Sequence, residues 1–199
     1  MTKYAPSTKL FDTTVARAVV LGDDDLAALQ QFFERNPDYF WSVNGEAPTA
    51  NEAHNEMHAR LPEGWLHTWQ GSIGFIDAHD ALIGMANVVT DLLAPGVFHI
   101  GLFIVATRLH GTGAAQVLHD GLVRWAIANG TRWLRLGVVT GNARAERFWA
   151  RLGYVDLRMR TGIPMGRRVN DVRVMVNPLT SDTLADYLAL VPRDRPDHP

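Results

Sequence analysis

The chain contains no cysteine. Disulfides, thiolate metal sites and a cysteine nucleophile are thereby excluded, and a reducing compartment fits the absence. An excess of one charge is also missing. A net charge of −2 over 199 residues gives no sign of a nucleic-acid surface or a polybasic membrane patch. No stretch approaches the ~18 apolar residues of a membrane span. The opening "MTKYAPSTKLFD" has no apolar core of signal-peptide length. Internal repeats and low-complexity segments are absent. The expectation is a soluble, cytoplasmic protein with no nucleic-acid and no membrane partner.

What remains is an ordinary globular composition, 47% apolar and 20% charged. The length suits one principal domain. We place it at residues 1–179, followed by a C-terminal helix and tail at 180–199.

Hydrophobic periodicity orders the elements. Residues 13–21 read as a strand. "GDDDLAALQQFFERN" reads as a helix capped by Asp23 or Asp24, with Leu26, Leu29, Phe32 and Phe33 on one stripe. The aromatic stretch "PDYFWSVNGEAP" reads as a loop, and residues 49–64 as a short helix. From Trp65 the period becomes alternating, giving two strands around the turn "HD" and a third at 96–105. A long helix follows, with Ala114, Val117, Leu118, Leu122 and Trp125 on one stripe and Gly130 as its stop. Then come a strand at 131–139, a helix from cap candidate Asn142 to Gly153, and a strand pair at 154–162 and 171–179. The C-terminal helix spans about 180–193, and "RPDHP" reads as a frayed tail. The strand–helix–strand unit around 98–139 requires a right-handed parallel crossover. The preceding meander is antiparallel, so the sheet is mixed.

The stretch "RLHGTGAAQVL" (108–118) places two glycines at a strand-to-helix junction. Glycine lets backbone N–H groups meet a ligand without an intervening Cβ. A helix N-terminus adds unpaired donors and partial positive charge, so the junction suits an anion, most often a phosphate. The mononucleotide loop needs Lys and then Ser or Thr at its end, and Ala114 and Ala115 stand there instead. The dinucleotide fingerprint needs a third small residue, where Gln116 stands, and a carboxylate after the next strand, which "TRWLRLGVVT" lacks. A plain connecting turn remains open on these residues alone.

Together with "GNARAERFWARLGY" one strand later, the stretch resembles the GNAT superfamily of N-acetyltransferases. The family's pyrophosphate loop is Arg or Gln, two residues, Gly, one residue, then Gly or Ala. Two registers match. One is led by Arg108, with Gly111 and Gly113. The other, preferred, is led by His110, with Gly113 and Ala115. The resemblance is specific over residues 98–155. It implies an α/β fold of the α+β type: a mixed, mostly antiparallel central sheet with a splayed parallel pair and helices on both faces.

The resemblance also implies acetyl-CoA as acetyl donor. Its pyrophosphate is expected on His110, Gly111, Thr112, Gly113, Ala114 and Ala115. Its pantetheine arm is expected along the backbone of Phe103, Ile104 and Val105, with Asn142 and Trp149 contributing from the following helix. Arg108, Arg144 and Arg147 are candidates for the cofactor's remaining phosphate, with surface solvation the preferred reading of each, because an exposed arginine needs no partner. Acetyl transfer needs a neutral amine, a donor for the oxyanion and a proton for the thiolate. Without cysteine, direct attack by the amine in a ternary complex is the simplest route.

His99 stands where some family members have a catalytic Glu, which makes it the candidate base. Residues 99, 101, 103 and 105 would share a face unless a bulge intervenes. The family's usual Tyr acid is Trp149 here, and indole cannot serve. Water or Tyr39 stands in for it, and Tyr154 is expected in the core. The acceptor pocket is expected from Tyr39, Trp41, Glu46, Trp69 and Asp91, with Phe40 and Trp65 as further aromatics. His54 and His58 have metal-ligand spacing, but Asn55 replaces the Glu of the metalloprotease pattern, so a solvated helix face is preferred. The expected activity is acetylation of a primary amine of a small molecule. The alternatives are a non-catalytic acyl-CoA sensor of the same fold and, more distantly, a dinucleotide-binding oxidoreductase. A homodimer through the last helix or final strands stays open.

Overall fold

The computed structural model describes residues 8–197. Residues 1–7 of the opening stretch and the last two of the expected frayed tail lie outside the described residues. Eight strands form one sheet in the order β1-β2-β3-β4-β5-β6-β8-β7. They are β1 (Lys9–Asp12), β2 (Arg17–Val20), β3 (Trp69–Ile76), β4 (Leu82–Thr90), β5 (Val97–Val105), β6 (Trp133–Val139), β7 (Val155–Met165) and β8 (Arg168–Pro178). Among the described residues, only β5 and β6 pair in parallel. The helix between them, α4 (Ala114–Ala128), supplies the crossover.

Two helices cover one face, α4 and α5 (Ala143–Arg151). Their stripe, including Leu118, Leu122 and Trp149, packs on Phe75, Phe98, Ile100 and Leu136. On the other face lie α1 (Leu26–Arg35), α2 (Asp38–Val43), α3 (Glu52–Met57) and α6 (Leu184–Leu190). Leu29, Phe32, Phe33 and Phe40 pack there with Leu102 and Ile104. Tyr187 of α6 packs with Val97, Trp133 and Val176. Each such large apolar side chain, fully buried, contributes about 1.5–3 kcal/mol.

Two short elements differ from the sequence reading. The four residues of β1 add an edge strand, admitted because Gly121 of α4 has no Cβ. One there would come within 2.9 Å of the Phe11 ring. The aromatic stretch 38–43, expected as a loop, is the helix α2 that starts after Pro37 and buries Phe40 and Val43. The helix α1 begins at Leu26, and Asp25, rather than Asp23 or Asp24, closes its approach by accepting from the Gly22 N–H at 2.9 Å.

Candidate active site

The parallel pair holds together only at its start, from Val97↔Trp133 to Ile100↔Leu136. Beyond that, β5 has no partner on its β6 side. The cause lies one residue on. Across β4 and β5 the register runs Val88↔Ile100 and then Asn87↔Leu102, so Gly101 is an extra residue, a bulge. The bulge bends β5 away from β6 and leaves the outer edge of Phe103, Ile104 and Val105 free.

The bulge also reverses the strand's faces. Before it, Phe98 and Ile100 face α4; after it, Phe103 and Val105 do. His99 therefore lies on the opposite face from Phe103 and Val105. The shared face read from odd spacing does not hold, because an inserted residue shifts the two-residue period by one.

At the end of β5 the chain makes a 3-10 turn (Thr107–Leu109) and enters the glycine stretch. Gly111 and Gly113 have φ of +78° and +88°, and an added Cβ at either would meet open space. These left-handed residues turn amides outward. The N–H groups of Gly111, Gly113, Ala115 and Gln116 have no backbone acceptor among the described residues. They point to the mouth of a cleft of about 1040 Å³, lined by Phe103–Val105, His110, Gly111, Gly113, Asn142, Phe148, Trp149, Tyr39 and Trp41, among others. An open cradle of unpaired donors beside a free strand edge fits a pyrophosphate with an amide-bearing arm. A lone connecting turn has no use for either.

A profile of the Acetyltransferase (GNAT) family matches residues 25–154. The chain belongs to the GNAT acetyltransferase family. Solved structures of similar shape include an acetyltransferase from Thermus thermophilus (18% identity, 86% of this chain and 99% of that one, TM-score 0.63). A GCN5-related N-acetyltransferase from Kribbella flavida is similar at 23% identity, 83% and 98% coverage and TM-score 0.59. The spermidine N-acetyltransferase from Vibrio cholerae, solved with CoA and spermine, is similar at 18% identity, 81% and 94% coverage and TM-score 0.61. At these identities the likeness is one of fold. No curated protein matches the sequence. No helix among the described residues is long and apolar enough to cross a membrane.

Within this GNAT frame the side chains take definite places. His110, where the family has Arg or Gln, accepts from Arg144 at Nδ1 (2.6 Å) and donates from Nε2 to the Val105 carbonyl (3.0 Å). Asn142 caps α5, its Oδ1 accepting from the Ala145 N–H at 3.2 Å. Trp149, 7% exposed, sits among Phe103, Phe148, His119 and Tyr154. Tyr154 is in the core, its hydroxyl 3.0 Å from His119 Nε2. Burial lowers the His119 pKa. Arg108 approaches Asp77 at 3.6 Å, and Arg147 is exposed.

The acceptor candidates divide. Tyr39 and Trp41 line the cleft. Burial first, then the carboxylates of Glu56 and Glu52, raise the Tyr39 pKa, so the phenol keeps its proton. The other three do not line the cleft. Glu46 pairs with Arg167 at 2.8 Å. Trp69 packs edge-on to Trp125 of α4. Both oxygens of Asp91 are engaged by Gly96 N–H (2.7 Å) and Thr68 Oγ1 (2.6 Å), which builds the turn before β5. The rings of His54 and His58 stack at 4.3 Å, and His58 Nε2 is 3.2 Å from Asp23.

His99 Nδ1 lies 3.1 Å from the Arg135 carbonyl and 3.3 Å from a guanidinium nitrogen of the same arginine. Its Nε2 is directed at Gly101, where an added Cβ would lie 3.9 Å from it. Burial, and next the Arg135 guanidinium, push His99 down to about 3. Arg135 itself is clamped by Asp194 at 2.7 and 2.8 Å, and Tyr187 donates to the same carboxylate at 2.6 Å.

Three groups near the bulge escaped the sequence reading. Asn87, opposite Leu102, donates to the Glu56 carbonyl at 3.1 Å. Burial, then Glu52, raises the Glu56 pKa. The pair Glu52 and Glu56 was visible as an i, i+4 spacing on a helix, but its placement over β4 comes from tertiary packing. Finally, the tip of the β7–β8 hairpin bends over to α2. Arg168 donates to the Ser42 carbonyl (3.0 Å), Asn170 to that of Val43 (2.9 Å), and the Arg167 N–H to that of Asn44 (2.8 Å). The far edge of the sheet thus joins α2 in an arch above β5 and β6.

Proposed function

We propose that this protein is an N-acetyltransferase that moves the acetyl group of acetyl-CoA to a primary amine of a small molecule by direct attack. The observation that carries the reading is the free edge of β5 at Phe103–Val105, continuous with the outward amides of Gly111–Gln116 in one cleft. Acetyl-CoA, when bound, supplies an acyl group activated as a thioester.

The amides of Gly111, Gly113, Ala115 and Gln116 bind the pyrophosphate, aided by the N-terminal dipole of α4. The edge of β5 hydrogen-bonds the pantetheine arm, with Phe148 and Trp149 as its apolar wall. His110 keeps the loop at a fixed distance from β5. The backbone N–H near Val105 polarises the thioester carbonyl.

The amine arrives from the opposite face, at the bulge. Its nitrogen forms the C–N bond as the C–S bond breaks. Glu56 takes the ammonium proton, since burial shifts its affinity toward the range a base needs. His99, neutral, meets the amine through Nε2 and takes no proton. Tyr39, protonated throughout the physiological range, gives its proton to the departing sulfur and regains one from the acetylated nitrogen as the tetrahedral adduct collapses.

Calorimetry with CoA and a thiol-release assay over a panel of amines test this reading. The chain's lack of cysteine removes any protein background from the assay. CoA binding with amine-dependent thiol release is the expected result. Binding without release by any amine would favour the sensor reading, for which Trp149 in the acid's place is the supporting observation. Failure to bind CoA at millimolar concentration overturns both.

A further inference from the structure

The face of the sheet under the arch is floored by glycine. Gly101 of β5 and Gly137 of β6, neighbouring central strands, are both exposed to solvent. Exposed backbone in the middle of an eight-stranded sheet marks the bottom of a groove. The register continues the groove sideways. Gly137 pairs with Val174, which pairs with Arg158; Val139 pairs with Val172, which pairs with Arg160. Paired residues share a face, so Arg158 and Arg160 stand on the groove side at its far wall. Asn87 and Glu56 stand at its near wall. The two walls carry opposite charge.

Arg160 is half-buried, and its side chain has no hydrogen bond or ion pair among the described residues. Its surroundings do not supply an anion. Arg135, Arg158 and Arg193 are near, and Asp194, the one carboxylate among them, is already held by Arg135 and Tyr187. Arg158 donates to the Arg193 carbonyl at 2.6 Å. Partial burial, and then these three cations, lower the Arg160 pKa. A guanidinium held in such company is stabilised by an oxyanion from outside, which it can engage through two N–H groups. A purely cationic acceptor meets repulsion on that side.

We infer that the acceptor is an amine bearing its own anionic group, a carboxylate or similar oxyanion, with its ammonium toward Glu56 and its anion on Arg160. The inference rests on the acetyltransferase reading and adds the acceptor's class. The wall of β7 lies three strand spacings from β5, about 14 Å. A long arginine side chain and a small amino acid bridge that span together.

The test measures binding, so it does not depend on turnover. Protein saturated with CoA is titrated with the twenty L-amino acids, β-alanine and 4-aminobutanoate, each against its carboxamide. At least one acid is expected to bind tenfold or more tighter than its amide. Arg160→Ala is expected to shrink that ratio to below twofold with CoA affinity unchanged, and Arg160→Lys to retain part of it. Acid and amide binding alike, no acid binding at 10 mM, or a preference that survives in Arg160→Ala overturns the inference. Thiol release from the same mixtures reads the enzyme separately. Transfer without an acid preference sinks the inference alone, and a preference without transfer sinks only the catalytic reading.

Discussion

Arg144 of α5 donates to His110 Nδ1 at 2.6 Å, while the other ring nitrogen of His110 donates to the end of β5 at 3.0 Å. One imidazole thus ties the glycine loop to both α5 and the end of β5. Its orientation defines the neutral tautomer, with the proton on Nε2. Removing it deletes two hydrogen bonds, each worth about 1 kcal/mol net. His110→Ala is expected to weaken CoA binding by about tenfold, read by calorimetry, with the far-UV spectrum unchanged.

Gly113 has φ of +88° and open space where a Cβ would go. A valine there adds about 1–2 kcal/mol of backbone strain and places a side chain in the path of the anion. Gly113→Val is expected to fold with a lowered melting temperature and to lose CoA binding in calorimetry. Retention of wild-type affinity would show that the anion lies elsewhere.

Glu56 acts only on the amine in the proposed chemistry. Glu56→Gln is expected to lower kcat by about 10²-fold or more, with CoA affinity kept. Because the carboxyl pKa is raised, wild-type kcat/KM is expected to fall on the acid side as this group protonates. The variant's profile should lack that limb.

The arrangement around Arg135 makes the fold acid-sensitive. Asp194 is held below its usual range: burial opposes its charge, and the hydrogen bonds and charge of Arg135, with the Tyr187 hydroxyl, together outweigh it. A lowered carboxylate pKa stabilises the fold above the unfolded value of about 4, and that stability fades as pH falls through the folded value. His99 acts in the same direction. It stays neutral in the fold down to about 3, whereas the unfolded chain takes up the proton near about 6.5. Stability measured by urea titration is therefore expected to fall from about pH 6.5 downward. Asp194→Asn should cost about 3–5 kcal/mol at pH 7, because it leaves Arg135 buried without its counter-charge.

The arch separates strong from weak contacts. Arg167 is 79% exposed at its ion pair with Glu46, so Glu46→Ala is expected to change stability by less than about 1 kcal/mol. Asn170 is buried where it bonds the Val43 carbonyl, and Asn170→Ala should cost about 1–3 kcal/mol and raise the acceptor KM more than that of acetyl-CoA.

Periodicity made the strand and helix order from β2 to β8 legible, and the glycines at 111 and 113 marked the loop with outward amides. The short elements were not legible. Four residues of β1 carry too little alternation, and α2 opens on an aromatic run that a loop can equally hold. The acceptor groove was hidden for a different reason. Glu56, Asn87, Gly101, Gly137 and Arg160 come from five separate elements, and only the sheet order and one bulge bring them to a common face. Trp69 and Asp91 were chosen for their chemistry, but packing and turn formation had already claimed them.

The splay between β5 and β6 is an opening through the sheet, with a mouth on each side. On the proposed function, acetyl-CoA would enter by the loop side and the amine from beneath the hairpin arch, so that neither blocks the other's path. Initial-velocity patterns should accordingly show that either reactant can load first.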